Sequence, residues 1–588
     1  MKARAFLSAL LVFLGISVTW AQKSDTIRIN YDGIRCQVTT STNNVKIQRE
    51  GAHVSVSSPS SAIPIVVFLT GSTSDGCFML DGDRPCTVCL NGLNMVCTSG
   101  GCIGLGGKQA NKIIVAEGSN NHLVDSPYGE QKACLYSKGD LLVDGGGLLT
   151  VTGHHQHAVA SKHSIHLAPG TGTISLTCSA DGGKGIKAGD SLVIDGGTLS
   201  VEVTGNTIVE MTDGMPDTTK VAALKADSAI IIRSGHLALT STGLAGRCAC
   251  TDGTVTLGIP TGYAMEQADT CQLTIQCVNT GETFGDEPTS DVDTQCKPKG
   301  IKADGEIVIH NGLLILRTTQ DGAEGLESKT SITVNNGVID AVCQDDCINT
   351  SGFIVVNGGL LHCVSTGNDA IDTNLRDIEA AALTLNGGTI LAFSAGGRHE
   401  EGIDVNRSVI TINGGYLFSI GGQQGGVEPK VKGKHPAAYV RRVDTEPNRY
   451  YTLTANGQPL MTILMPCKPA SDFLLIAANG LMRGVQCQLQ ESMMPPAGAQ
   501  QVMDEGLWLG AKPEQATRVY HWTQSARYVK ADASVANNVD NITWEETPKG
   551  NTYCYTLDGK RVNEPKHGTY VQHTVMPNGH SESHIIIK

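Results

Sequence analysis

One five-residue phrase constrains this chain more than any other feature. It reads Lys299-Gly-Ile-Lys-Ala, Glu324-Gly-Leu-Glu-Ser, Asp346-Cys-Ile-Asn-Thr, Asp369-Ala-Ile-Asp-Thr and Glu401-Gly-Ile-Asp-Val. Successive starts are 25, 22, 23 and 32 residues apart, the length of one coil of a solenoid. Weaker copies precede it at Gly101-Cys-Ile-Gly-Leu, Ala133-Cys-Leu-Tyr-Ser, His157-Ala-Val-Ala-Ser, Lys184-Gly-Ile-Lys-Ala and Ala222-Ala-Leu-Lys-Ala. The middle position is aliphatic and the one before it small.

From Ala133 onward each copy leads into a short β run. Most of these runs end in a Gly-rich turn, such as Ile354-Val-Val-Asn-Gly-Gly or Leu383-Thr-Leu-Asn-Gly-Gly. Asn-Gly pairs tolerate positive φ and make corners. A third run follows, as in Gly388-Thr-Ile-Leu-Ala-Phe. Three short strands per coil predict an all-β fold, a parallel β-helix solenoid. An antiparallel sandwich would not place fixed chemistry at every repeat. The 69 glycines and the 4% aromatic content fit many short strands and tight turns. The stretches from Asn206 to Lys220 and from Gly246 to Lys299 interrupt the pattern and are expected as loops or extra strands on the outside.

The expected organisation is a signal peptide over residues 1–21, an N-terminal β cap over 22–64 and the β-helix over 65–426. A C-terminal antiparallel β module over 427–535 and a small sorting-like tail over 541–588 complete it. Lys2 and Arg4 ahead of the apolar run from Phe6 to Val18, with Thr19-Trp20-Ala21 before Gln22, carry the first expectation. The run is too short to span a membrane, so the mature protein is expected to be secreted or attached to the outer surface. Nineteen cysteines suit an oxidising compartment. Cys86-Thr-Val-Cys89 lacks further zinc ligands at suitable spacing, and no zinc-like set of Cys and His stands out on the repeat. Cys102 and Cys134 share the small column and are candidates for a disulfide or a buried thiol ladder. His154, His155 and His157 read as a polar loop. A net charge of −13 without a basic stripe excludes nucleic acid as a partner.

Stacking coils about 4.8 Å apart turns the phrase into columns. Its first and fourth positions hold Lys184, Lys187, Lys299 and Lys302. After them come Glu324, Glu327, Asp346, Asn349, Asp369, Asp372, Glu401 and Asp404. Carboxylates at strand spacing repel and raise one another's pKa. Ca²⁺, which takes six to eight oxygens in flexible geometry, removes that cost better than magnesium. These eight residues are therefore the candidate metal ligands, with Asp345, Asp321 and backbone carbonyls available to complete the shells. The four lysines are the candidate carbohydrate contacts, and the change from Lys299 to Glu324 marks where a bound sugar is expected.

Gly367-Asn-Asp-Ala-Ile-Asp-Thr-Asn, Lys184-Gly-Ile-Lys-Ala-Gly-Asp, Ile354-Val-Val-Asn-Gly-Gly, Leu90-Asn-Gly-Leu-Asn and Ala133-Cys-Leu-Tyr-Ser-Lys-Gly-Asp-Leu resemble a carbohydrate-binding β-helix family. The resemblance runs over roughly residues 26–530. It implies a calcium-containing right-handed β-helix shaped like pectate lyases that binds cellulose or acidic sugars such as polygalacturonate. The tail from Tyr555 resembles Bacteroidetes-type C-terminal sorting signals. The expected function is non-catalytic polysaccharide binding. An acidic glycan is favoured over cellulose because the coils lack stacking aromatics. A calcium-dependent pectate-type lyase, with lysine as base, and a structural surface adhesin are the alternatives.

Overall fold

A computed structural model describes residues 24–212, 215–262, 273–285, 295–375, 377–423, 429–471, 473–503 and 506–537, with the backbone of strands at 551–556, 561–562, 569–575 and 581–587. The expected signal peptide and Trp544 lie outside these residues. Every regular element described is a strand.

The strands stack into three ladders, one per side of a β-helix-like solenoid. The first is the phrase itself. It runs from Ala52–Ser57 through Ala133–Ser137, Lys184–Ala188 and Lys299–Ala303 to Ile403–Asp404, every neighbour parallel. The second carries the runs after the phrase, for example Ser331–Val334 on Phe353–Val356. The third carries the runs after the turn, for example Val338–Cys343 on Leu360–Ser365. Alternate residues of all three point into one apolar interior, which extends from Ile27 to Ala477. Asp25–Asp32 and Ala52–Ser57 already pair in parallel with the next coil, while Arg35–Thr40 and Lys46–Glu50 turn back antiparallel at that end.

One expectation is corrected inside the stretch from Gly246 to Lys299. Arg247–Thr251, Thr254–Leu257 and Thr274–Asn279 form a complete coil, with Arg247 registered on both Ala222 and Lys299. The phrase was disguised because Ala249 fills the aliphatic position, although the 25-residue step from Ala222 was intact. Between Asn206 and Lys220 the extra strands are a separate antiparallel hairpin, Ile208–Thr212 with Met215–Thr219.

The Asn-Gly corners divide their work. Positive φ belongs to the last glycine of each, Gly337, Gly359, Gly388 and Gly415, not to the asparagine. A Cβ on Gly359 would meet the Gly337 carbonyl oxygen at 2.5 Å. The asparagines stack instead: Asn357, Asn386 and Asn413 each donate Nδ2 to the Oδ1 of the asparagine one coil earlier, at 2.9 Å.

At the C-terminal end, Phe473–Ala477 pairs antiparallel with Tyr416–Gly421, extending the third ladder. A seven-stranded antiparallel sheet, from Tyr450–Ala455 to Ser534–Asn537, follows. Its Tyr451, Ile463, Leu489 and Trp522 pack on Leu360, Leu391, Phe393 and Phe418, the outward side chains of the last coils. The tail forms a four-stranded antiparallel sheet. No helix of the described residues is long and apolar enough to cross a membrane.

Candidate functional site

The first ladder carries the chemistry, and its register fixes which groups meet. Glu327, Asn349, Asp372 and Asp404 stand one above another in paired strands. Asp346, Asp369 and Glu401 precede those strands by two residues, where the backbone still links coils: Gly325 N donates to Asp346 O at 2.8 Å and Ala370 N to Glu401 O at 3.1 Å.

Six of the eight acidic-column residues divide into two groups. Glu324 and Glu327 are neutralised by lysines. Lys299 Nζ lies 2.6 Å from Glu324 Oε1 and 3.3 Å from Glu327 Oε2, and Lys302 Nζ is 3.0 Å from Glu327 Oε1, with Lys329 on the same oxygen. Burial alone would raise the Glu327 carboxyl, but the three lysines hold it well below the usual carboxylate range. The boundary between lysine and carboxylate is thus closed by internal ion pairs.

Asp346, Asp369, Asp372 and Asp404 form the second group, and among the described residues no lysine pairs with them. All four are buried, along with neighbouring Asp345. Carboxylate oxygens of Asp369, Asp372 and Asp404 lie within 4.8 Å of one another. Burial, then Asp345 and Asp372, push Asp346 up to about 10. Burial, then Asp404, push Asp372 up to about 7. Asp369 rises to about 9 through burial and the same neighbours, against the opposing hydrogen bond from Glu401 N. Burial also raises Asp404. Asn349 donates Nδ2 to Asp346 Oδ2 at 2.7 Å, whereas the buried Asp346 Oδ1 has no hydrogen-bond partner. Half-buried Glu401 offers its backbone N–H to Asp369, and Asp321 is exposed.

A pocket of buried carboxylates with an orphaned oxygen is expensive unless a cation fills it. An all-oxygen donor set of this kind fits Ca²⁺. The fit holds for the four aspartates with Asp345, and not for Glu324 and Glu327.

The basic row lies on the coils before the boundary. Lys187 pairs with Asp227, and Lys225 pairs with Asp252 and, at 3.7 Å, Asp227. Lys184 is buried, its Nζ meeting the Gly182 carbonyl at 2.5 Å, and burial pushes its ammonium down to about 8. Arg247, absent from the sequence expectation, is buried in the same column with an Nε that lacks a hydrogen-bond partner. Among the candidate lysines, Lys299 and Lys302 are committed to glutamates. Among the described residues of this row, Lys184 and Arg247 have no carboxylate partner.

Of the three expected loop histidines, His157 is a ladder residue whose Nδ1 accepts from Lys184 N at 3.2 Å. His154 and His155 sit in the turn, bonded to Ser179 Oγ and Pro127 O. Cys102 and Cys134 are buried free thiols on adjacent coils.

Residues 50–346 and 292–372, together more than half of the chain, match a family described as carbohydrate-binding domain-containing protein. A curated protein of that description from Acetivibrio thermocellus is 24% identical over 160 residues, which are 26% of this chain and 51% of that protein. The chain thus spans about half the length of this relative. A solved structure, the gadolinium derivative of a polysaccharide lyase-like protein from C. thermocellum, shares 14% identity. The match covers 63% of this chain and 99% of the other, with a TM-score of 0.28.

Proposed function

Because the chain belongs to the family of carbohydrate-binding domain-containing proteins, we propose that it is a calcium-containing polysaccharide-binding protein, non-catalytic, secreted or held at the outer surface after signal-peptide cleavage. Its solenoid is a right-handed parallel β-helix, the hand that parallel crossovers adopt almost without exception. Asp346, Asp369, Asp372 and Asp404, with Asp345, would hold Ca²⁺. Bound there, the ion supplies the positive charge that these side chains lack and a hard centre for sugar oxygens or uronate carboxylates.

The observation that carries this reading is the unpartnered buried Oδ1 of Asp346, in a cluster where, among the described residues, the one ion pair to a protein cation is Lys297 to Asp345 at 3.9 Å. The ligand class proposed is an acidic, uronate-type or plant cell-wall glycan. Lys184 and Arg247 keep cationic groups without a carboxylate partner on the same ladder, and the coils are poor in aromatics that would stack on neutral cellulose.

A second reading, a calcium-dependent lyase, draws on Lys184, whose pKa near 8 suits a base. Against it, Lys302 is tied to Glu327 and Lys299 to both glutamates. A glycan-binding screen in calcium, read together with absorbance in the unsaturated-uronide band, tests both. Retention of acidic glycans with flat absorbance is expected. A steady rise in absorbance overturns the non-catalytic reading, and no retained glycan overturns binding.

A further inference from the structure

Four side chains far from the acidic cluster meet at the other end of the solenoid. His53 and Cys77 are register partners on neighbouring strands of the first ladder, and Asp75 opens the turn before Cys77. Cys97 follows the strand of the next coil, Cys86–Val96. In sequence these residues are one coil apart, so no short motif announces them. In space, one ligand atom each from His53, Asp75 and Cys97 lies within 4.8 Å of the other two. His53 Nδ1 is 3.3 Å from Cys77 Sγ, and its Nε2 is 3.3 Å from Asp75 Oδ1.

We propose that His53, Asp75 and Cys97 bind a zinc-class divalent cation that clasps the first coils of the solenoid together. A thiolate, an imidazole and a carboxylate are donors that zinc takes in tetrahedral geometry, with solvent completing the set and metal–ligand bonds of about 2.0–2.3 Å. Their ligand atoms, all within 4.8 Å of one another, are close enough to share one such ion. Cys77, which meets the other ring nitrogen of His53, holds the imidazole in place. Calcium, which takes oxygen ligands, does not suit a site with a sulfur and an imidazole. This centre is therefore chemically distinct from the aspartate cluster.

The surroundings already orient the ligands. Thr98 donates from both N and Oγ1 to Asp75 Oδ1, at 3.1 and 2.8 Å, which fixes the carboxylate. The Cys97 thiol gives up its proton to solvent as the cation enters. Cys97 is buried while Asp75 and His53 reach solvent, so the site has an entrance. The coils bridged are the first of the solenoid, next to the antiparallel turn-back of Lys46–Glu50.

The test uses the full chain, reduced and stripped with chelator, titrated with Co²⁺ and then Zn²⁺. One equivalent of cobalt should produce tetrahedral d–d bands and a thiolate charge-transfer band, both erased by zinc. Cys77→Ser/Cys97→Ser should abolish the charge-transfer band. Asp75→Asn, at a half-exposed position that folding tolerates, should weaken cobalt affinity by 10-fold or more while the far-UV spectrum stays unchanged. Absence of the bands in folded, thiol-counted protein overturns the proposal, as does their persistence in the double serine variant. Peptide mapping that finds a Cys77–Cys97 disulfide whose reduced form binds no cobalt also overturns it.

Discussion

Removing calcium from the aspartate cluster should cost stability in a way that depends on pH with a definite sign. Asp346 and Asp369 have folded-state pKa values of about 10 and about 9, against an ordinary value of 3.8. In the metal-free protein each keeps its proton between pH 4 and pH 7, where the unfolded chain has lost it. The native state binds more protons there, so stability falls as pH rises. Three pH units at 1.36 kcal/mol per unit amount to about 4 kcal/mol for each such carboxyl. At an unfolding entropy of ~2 cal/mol/K per residue over a chain of this length, that is a fall in Tm of roughly 4 °C per carboxyl. Half-buried His157, pushed down to about 3 by desolvation and Lys184, acts with the opposite sign in the same window. It does so with or without calcium, so the difference between the two samples removes it. Differential scanning calorimetry in calcium and in chelator, at pH 4.5, 5.5, 6.5 and 7.5, gives that difference. The calcium-dependent gain in Tm should grow with each step in pH. A gain that is zero, flat or shrinking with pH would refute the assignment of these carboxylates to a cation.

Asp372→Asn should raise Tm in chelator, because an amide carries no charge to bury, and lower the calcium-dependent gain when both samples are scanned at pH 7. Lys299→Ala strands Glu324 in the interior, while Lys302 and Lys329 still hold Glu327, and should destabilise by about 3–5 kcal/mol in denaturant titrations, whereas Lys299→Met/Glu324→Gln should cost less than the sum of its singles. Gly359→Ala, at φ +81 and against the Gly337 carbonyl, should cost about 1–3 kcal/mol by the same measurement. Binding of an acidic polymer at saturating calcium should weaken as pH rises through about 8, where Lys184 loses its charge, and Lys184→Gln should weaken it roughly tenfold and remove that pH dependence.

The phrase columns were legible because parallel stacking at strand spacing converts sequence period directly into spatial register. Lys299 over Glu324 and Asp372 over Asp404 follow from counting alone. What each column member does was not legible. The long side chains of Lys299 and Lys302 reach the next coil and consume Glu324 and Glu327, so an apparent run of eight ligands shrinks to the aspartates, whose side chains are too short to be met from below. Arg247 was hidden because Ala249 broke the aliphatic signature while the spacing survived. The asparagine ladder was read as turn chemistry because propensity describes one residue, whereas the amide stack exists between coils. The His53, Asp75, Cys77 and Cys97 group was missed for the same reason: its members are neighbours across coils and strangers along the chain.

The account stands on calcium-dependent recognition of an acidic polysaccharide by the first ladder. Affinity electrophoresis through gels containing polygalacturonate, run in calcium and in chelator, measures it directly for the wild-type chain and for Asp369→Asn/Asp404→Asn. The wild-type chain should be retarded in calcium and released in chelator, and the double variant should migrate freely in both. Retardation that persists in chelator, or that the double variant retains, would contradict the account.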